Sequence, residues 1–134
     1  MSLEAYRRVQ QTAESPSQTE YRLFAQVTSA LMRARDGQLS GSALMEPLDW
    51  NRRLWSTLST DCGLPGNSLP KELRAQIISL ALWVNRFTSD VFRNPADIDA
   101  LIDVNKAIMD GLALQASNAA KAAASSPAQQ TASA

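Results

Sequence analysis

The side chains best suited to chemistry are few in this chain, and their types exclude most catalytic mechanisms. The 134 residues include no histidine and a single cysteine, Cys62. Histidine is the commonest general base and metal ligand, and it activates many serine and cysteine nucleophiles. Cys62 therefore has no base to ionise its thiol, and its expected place at a helix C-terminus disfavours the thiolate. The sequence predicts that the chain is not an enzyme and that Cys62 is a small buried hydrophobic residue.

Three aspartates, Asp97, Asp99 and Asp103, form the densest group of carboxylates that could hold a metal ion. A hard cation needs several converging oxygens, normally with some from a loop. Aspartates in the first turn of a helix also stabilise it through the helix dipole, and this simpler explanation is preferred here. The phosphate-binding patterns GxGxxG and GxxxxGK do not occur in the sequence. We therefore expect neither a metal nor a cofactor.

The charge balance narrows the possible partners and the location. Thirteen basic and thirteen acidic side chains give a formal net charge of zero, whereas nucleic-acid binders usually carry clustered excess Lys and Arg. One cysteine cannot form an internal disulfide, and the first residues contain no apolar signal segment. The longest apolar run, residues 77–84, is far shorter than the ~20 residues of a membrane span. The expectation is a cytoplasmic protein without direct nucleic-acid contact.

Apolar residues recur at helical spacing through most of the chain, and no segment alternates as a strand would. The fold class predicted is all-α: a small bundle of four main helices plus a short N-terminal helix. Ser17 and Glu20 read as a capping box at the start of the first main helix, and Gly37 is expected in the left-handed conformation that ends it. The expected helices cover residues 2–13, 17–36, 42–61, 70–93 and 94–114.

Two features of the middle helices concern where the second main helix begins and where the third main helix packs. Pro47 lies close to the start of the second main helix, where it either kinks the first turns or marks the true beginning. The third main helix, expected to begin with Pro70 at its first position, is apolar around much of its circumference. That pattern predicts burial on more than one side, and hence a central place in the bundle.

The composition changes near residue 115. Residues 116–134 are Ala, Ser, Gln, Thr, Asn and Pro with one charged side chain, Lys121. Such a segment buries too little apolar surface to offset its ordering entropy. The sequence predicts a folded domain over residues 1–114 and a disordered low-complexity tail over 115–134, although the Ala-rich part also favours an extension of the last helix.

The segment from Trp50 to Trp55, which includes Arg52 and Arg53, is the strongest candidate for partner binding. Tryptophans five residues apart cannot share one narrow helix face, so if Trp55 is in the core, Trp50 points away from it. Exposed Trp beside Arg is typical of interface hot spots. A Trp at the core edge with an Arg stacked over it explains the cluster equally well. RNA binding is the less favoured interpretation, because acidic neighbours reduce the positive charge of the segment. Tyr6 and Tyr21 are further candidates, either at the core rim, which is favoured, or in a partner groove.

Several motifs resemble one known family in unbroken order. These are QQTAESP at residues 10–16, EYRLF at 20–24, NRRLW at 51–55, DCGLPGN at 61–67 and LRAQIISLA at 73–81. They resemble the alphaproteobacterial flagellar protein FlaF, and the resemblance covers residues 1 to about 112.

The resemblance implies a cytoplasmic regulator of flagellar biosynthesis that binds flagellin as a secretion chaperone and promotes flagellin synthesis, export and filament assembly. FlbT is implied as a second partner. The alternative function is post-transcriptional regulation of flagellin expression through FlbT or flagellin mRNA, without chaperoning flagellin. The resemblance supplies no catalytic residue. Together with Phe24 of the EYRLF motif, the partner-binding candidates are seven residues: Tyr6, Tyr21, Phe24, Trp50, Arg52, Arg53 and Trp55.

Overall fold

The computed structural model describes residues 2–5 and 14–132, with only the backbone described over 126–132. All regular structure in these residues is helical, which confirms the all-α prediction. A short N-terminal helix is described over residues 3–5, and the rest of the expected N-terminal stretch lies outside the described part. The main helices are α1 (Pro16–Asp36), α2 (Gly41–Cys62), α3 (Lys71–Arg93) and α4 (Ile98–Ala132), with a 3₁₀ turn (Pro95–Asp97) before α4.

The four main helices form a closed ring around one core. The helix α1 packs mainly against α4, and α2 packs mainly against α3. Contacts of α1 with α2 and of α3 with α4 complete the ring, with the α3–α4 contact the least extensive. The core takes one apolar stripe from each helix and buries its largest side chains completely: Phe24, Leu31, Leu44, Leu48, Trp55, Ile77, Leu101, Ile102, Ile108 and Leu112. Short connections between consecutive helices favour this bundle.

The N-cap of the first main helix lies two residues before the predicted cap, so the Ser17–Glu20 capping box is wrong. Ser15 is the N-cap: its hydroxyl accepts from the Gln18 amide (3.2 Å), and the Gln18 side chain accepts from the Ser15 amide (2.9 Å). Pro16 occupies the first helical position, where its fixed φ fits and its missing N–H costs no hydrogen bond. Pro16 thus favours the Ser15–Gln18 capping box over the overlapping Ser17–Glu20 pattern.

The end of α1 also differs from the prediction in its details. Gly37 keeps a right-handed backbone (φ −83°), and Gln38 takes the left-handed conformation (φ 51°). The Leu39 amide donates to the Ala34 carbonyl (3.0 Å) and the Gln38 amide to the Arg35 carbonyl (3.1 Å). This pair of bonds is a Schellman motif shifted by one residue, so the expected position of the left-handed residue was wrong.

The remaining boundaries lie close to those predicted. Pro47 is inside α2, which begins at Gly41, so the proline does not mark the start of the helix. Pro70 is the N-cap of α3 instead of its first residue. Asn94 caps the 3₁₀ turn, in which Pro95 is first and Asp97 last. Pro70 and Asn94 therefore place the start of α3 and the turn before α4 to within about one residue.

The prediction that α3 is the central helix is wrong. It is one of four equivalent members of the ring, and it leaves Ile78, Leu82 and Phe92 exposed. Its buried stripe is ordinary in width: Ile77, Ala81, Val84, Thr88 and Val91. Ile78, Leu82 and Phe92 therefore lie on the surface, whereas four other apolar residues of α3 are partly buried against the core: Leu73, Leu80, Trp83 and Phe87.

The last helix continues through the Ala-rich segment to Ala132, the extension that its composition favours. The side chains of residues 117–125 are all exposed, so this part buries no apolar face. A helix without tertiary packing is only marginally stable in water. We predicted disorder for residues 115–134 and a domain boundary at 114. Both depend on how stable this part of the helix is in solution, and both stay predictions.

Candidate partner-binding surfaces

Two of the seven candidate residues lie in the centre of the core. Phe24 on α1 and Trp55 on α2 have no exposed surface, and their rings meet edge to face with centroids 5.2 Å apart. Such pairs contribute about 0.5–1.5 kcal/mol beyond their area of burial. In this conformation neither side chain can reach a partner, so we leave both out of the proposed contact surface.

Trp55 is held in place by a buried hydrogen-bond network that the sequence analysis missed. Its indole N–H donates to Asn105 Oδ1 on α4 (2.8 Å), and Asn105 Nδ2 donates to Asn51 Oδ1 (2.8 Å) and to Thr28 Oγ1 (3.1 Å). Asn105 thus links α1, α2 and α4 through side chains that are all buried. Buried polar groups need such partners, so the network favours one register of these helices. The sequence signal for this network was Asn105 itself, a polar residue within the apolar stripe of α4.

Trp50 lies on a different side of α2 and is 39% exposed. It lines a shallow groove between α1 and α2, whose α1 side carries Arg22, Gln26, Ser29 and Arg33. The five-residue spacing from Trp55 predicts this outward direction. Its neighbours are polar, so this groove offers an aromatic contact but little further apolar area.

Tyr21 lines a third surface, and Tyr6 lies outside the described residues. Tyr21 is half-exposed and faces the small side chains of α4 in a groove formed with Gln18, Ala113, Ala116, Ser117 and Ala120. The structure therefore does not bring Tyr21 and Trp50 together. The six candidates within the described residues are spread over the core and three separate surfaces.

The remaining two candidates, Arg52 and Arg53, border an apolar groove between α2 and α3. Met45 (43% exposed) and Phe92 (38% exposed) form its floor. We call this the α2–α3 groove and define it by six residues: Met45, Asp49, Arg52, Arg53, Phe92 and Arg93. It combines exposed apolar area with several guanidinium groups.

The arginines of the α2–α3 groove are oriented by carboxylates on their own helices. Asp49 pairs with Arg52 (2.9 Å) and with Arg53 (3.2 Å), and Asp90 pairs with Arg93 (2.6 Å). Exposed pairs of this kind add little stability, about 0–1 kcal/mol each. Their effect is to hold the guanidinium groups beside Met45 and Phe92. Sequence reasoning missed Met45, Phe92 and Arg93 as members of the groove because their proximity depends on how α2 packs against α3.

A second polar cluster lies where α1 begins and α2 ends. Burial, helped by the charge of Asp61, raises the pKa of Glu20 from 4.5 to about 7. Burial is also the main cause of the raised pKa of Cys62, and the structure confirms the prediction that this side chain is buried. Glu20 Oε2 and Arg74 Nε are both buried and lack hydrogen-bond partners within the described residues. This end of the bundle therefore holds imperfectly matched polar groups.

Two of the three aspartates have partners of their own. Asp99 pairs with Arg35 of α1 (2.9 Å), and Asp97 accepts from the Asn94 side chain (3.1 Å). Over residues 2–5 and 14–132, no three potential metal ligands among His, Cys, Asp and Glu are grouped to hold an ion. The Arg35–Asp99 pair joins α1 to the start of α4.

The family of the chain follows from a family-model match over residues 2–112, described as flagellar protein FlaF. The chain belongs to the FlaF family. Neither the curated proteins nor the solved structures include a match to it. This family-level assignment gives the protein a part in flagellar biogenesis, and the family is not named for an enzyme activity.

The FlaF match includes all seven candidate residues and the whole α2–α3 groove, but it ends before the Ala-rich segment. It does not say which residues contact a partner. In the part of this FlaF chain that the structure describes, no helix has the length and apolarity to span a membrane.

Proposed function

We propose that this FlaF protein binds flagellin in the cytoplasm as a secretion chaperone, and so promotes flagellin synthesis, export and filament assembly. The observation that carries the proposal is the α2–α3 groove. It exposes Met45 and Phe92 side by side and surrounds them with Arg52, Arg53 and Arg93. An amphipathic helix can place its apolar side chains in such a groove and its polar edges against the arginines.

The composition of the groove suits a protein partner. Interface centres are enriched in aromatic residues, Met and Arg, and depleted in Lys and Glu. The groove has Phe92, Met45 and three arginines, no lysine, and one glutamate, Glu46, on its border. The alternative function through flagellin mRNA gains no support from a chain of zero net charge, whose arginines here are paired with Asp49 and Asp90.

Co-elution of the purified chain with flagellin tests the proposal. At tens of micromolar, the mixture is expected to elute as a complex ahead of either protein alone. Met45→Glu, which puts a carboxylate on the apolar floor, is expected to weaken binding at least ~10-fold because the charge loses water on binding. Leu64→Glu is the matched control, since Leu64 is an exposed leucine in the loop between α2 and α3.

The outcomes separate the two functions. Loss of the complex in Met45→Glu but not in Leu64→Glu supports flagellin binding at the groove. A wild-type chain that shifts with FlbT but never with flagellin would instead favour the regulatory alternative. Amide exchange with and without flagellin locates the contact independently: protection is expected in the first half of α2 and at the end of α3.

A further inference from the structure

The helix α3 carries a second apolar stripe that faces away from the core. Its members recur at alternating steps of four and three residues: Lys71, Ala75, Ile78, Leu82, Asn85, Ser89 and Phe92. All seven are exposed, Leu82 at 62% and Ile78 at 37%. We call these residues the outer stripe of α3.

This spacing is the heptad pattern of a helix that packs against another helix. Steps of four and three keep a stripe on one side of a helix, and an apolar stripe of this kind is the seam of a coiled coil. The core of the bundle already uses the other stripe of α3, from Ile77 to Val91. The outer stripe is thus additional to what the fold itself requires.

Asn85 lies at the centre of the apolar part of the stripe, seven residues from Ile78 and seven from Phe92. A single asparagine in such a seam fixes register, because its amide both donates and accepts and is best satisfied by another amide. A second copy of the same stripe supplies that amide directly. The zero net charge of the chain adds no overall repulsion between two copies.

The sizes of the side chains favour an antiparallel pair. With Asn85 opposite Asn85, an antiparallel arrangement places Phe92 opposite Ile78, and Leu82 opposite Ser89. Each larger side chain then meets a smaller one, which allows close packing. A parallel arrangement would place Phe92 on Phe92 and leave Ser89 facing Ser89, with crowding at one position and a gap at the other.

We infer that the outer stripe of α3 is a self-association surface, through which two copies of the chain pack antiparallel about a two-fold axis at Asn85. The apolar contact extends over residues 78–92, so it is small for a protein interface. Small interfaces are typical of weak, reversible complexes. This inference does not depend on flagellin binding, although Phe92 belongs to both surfaces and Ser89 also borders the α2–α3 groove.

Sedimentation velocity of the full chain is the first test. Between roughly 2 and 200 µM, the range in which small interfaces associate, the wild type is expected to shift from monomer towards dimer. Leu82→Glu is expected to raise the dimer dissociation constant at least ~10-fold, because the seam would bury the carboxylate. Leu114→Glu is the matched control, since Leu114 is as exposed as Leu82 but lies on α4. Circular dichroism checks that both variants fold.

Cysteine crosslinking tests the register and the direction. Asn85→Cys is expected to form an interchain disulfide on oxidation, whereas Ser89→Cys alone is not. A mixture of Leu82→Cys and Ser89→Cys chains is expected to form the mixed disulfide. Wild type is the background control because its cysteine, Cys62, is buried.

Three results would overturn the inference. One is a wild-type chain that stays monomeric through the whole concentration range. Another is Ser89→Cys that crosslinks to itself as readily as Asn85→Cys, which would mean a parallel pair. The third is a monomeric chain in which Leu82→Glu abolishes co-elution with flagellin, which would assign the stripe to that partner. The variants leave Met45 and the arginines unchanged, so failure here does not decide the proposed function.

Discussion

The bundle contains two buried polar regions that differ in how well their groups are matched. Around Asn105, four side chains from three helices are joined by bonds of 2.8–3.1 Å, and Asn51 Nδ2 is the group there without a partner among the described residues. Around Glu20, a carboxyl and the Arg74 guanidinium are partly buried without matching hydrogen bonds. The first region is neutral and satisfied except at Asn51 Nδ2, and the second is charged and unsatisfied.

This difference indicates which part of the fold is rigid and which is sensitive to conditions. A satisfied network is lost only when the helices separate, so it contributes to the free energy of unfolding at any pH. A buried carboxyl without partners is favoured only while it is protonated, so its contribution changes with pH. We expect amides of α2 near Trp55 to exchange more slowly than those at the end that contains Glu20.

The largest expected effect comes from breaking the satisfied region. Asn105→Ala leaves the Trp55 indole N–H without its acceptor and removes donors from Thr28 and Asn51. Each buried group left unpaired costs about 1–3 kcal/mol, so we expect a loss of about 3–5 kcal/mol in the free energy of unfolding. Urea denaturation followed by circular dichroism measures it.

Asn118→Ala is the control for this prediction, because Asn118 lies on the exposed part of α4. Its effect is expected to stay within about 0.5 kcal/mol, as for other surface substitutions. If Asn105→Ala destabilises no more than this control, the hydrogen bonds of Asn105 do not hold the three helices in register.

A smaller effect, with a definite pH dependence, is expected for Glu20→Gln. The pKa of Glu20 rises from 4.5 to about 7 on folding, mainly through burial. The folded state therefore binds the proton more tightly, and wild-type stability from this group is greatest below pH 4.5 and falls as pH rises towards 7. The uncharged variant is expected to be more stable than wild type above pH 7, by about 1–2 kcal/mol after allowing for partial exposure.

The measurement is the difference in unfolding free energy between Glu20→Gln and wild type from pH 4 to pH 8. The difference is expected to disappear near pH 4.5, where both side chains are uncharged in the folded state. Asp61→Asn is a second variant, expected to act in the same direction but less, since the Asp61 charge is the smaller cause of the shift. A difference that does not change with pH would exclude Glu20 as the titrating group.

Thr28→Val probes one edge of the satisfied region with little change of shape. It removes the hydroxyl that accepts from Asn105 Nδ2 (3.1 Å), while Asn105 keeps its bond to Asn51. The expected loss is about 1 kcal/mol, the usual net contribution of one neutral hydrogen bond. Thr60→Val is a control on an exposed threonine of α2. Equal losses in the two variants would mean that the bond from Asn105 to Thr28 adds nothing.

The sequence predicted the helices better than their contacts, for a physical reason. Helix ends depend on local residues such as Pro16, Pro70 and Asn94, whose backbone preferences act over a few positions. Even there, two overlapping capping boxes near Pro16 led to the wrong cap. The position of Trp55 relative to Trp50 was also predictable, since it follows from the helical repeat alone.

Contacts between helices were not predictable in this way. Met45 and Phe92 line the same groove, and Asn105 donates a hydrogen bond to Asn51. These residues are far apart along the chain, and the helical repeat does not predict that they are neighbours. Periodicity showed that α3 is apolar over a wide arc, but it could not show whether the extra residues enter a core or stay on the surface. That depends on how many helices surround α3, which is a property of the whole bundle.

The smallest expected effect is that of Trp50→Ala, and it connects the buried regions with the surface. Trp50 is 39% exposed and borders the polar groove with Arg22 and Arg33, so its loss is expected to change stability by less than about 1 kcal/mol. Trp55→Ala, a matched change in the core of the same helix, is expected to cost about 3–5 kcal/mol. If flagellin binds at the α2–α3 groove, Trp50→Ala should change its affinity less than threefold. A loss of binding as large as that expected for Met45→Glu, without a loss of stability, would contradict binding at the α2–α3 groove. The contact surface would then be the groove between α1 and α2, and Trp50 would be the exposed interface residue that the sequence suggests.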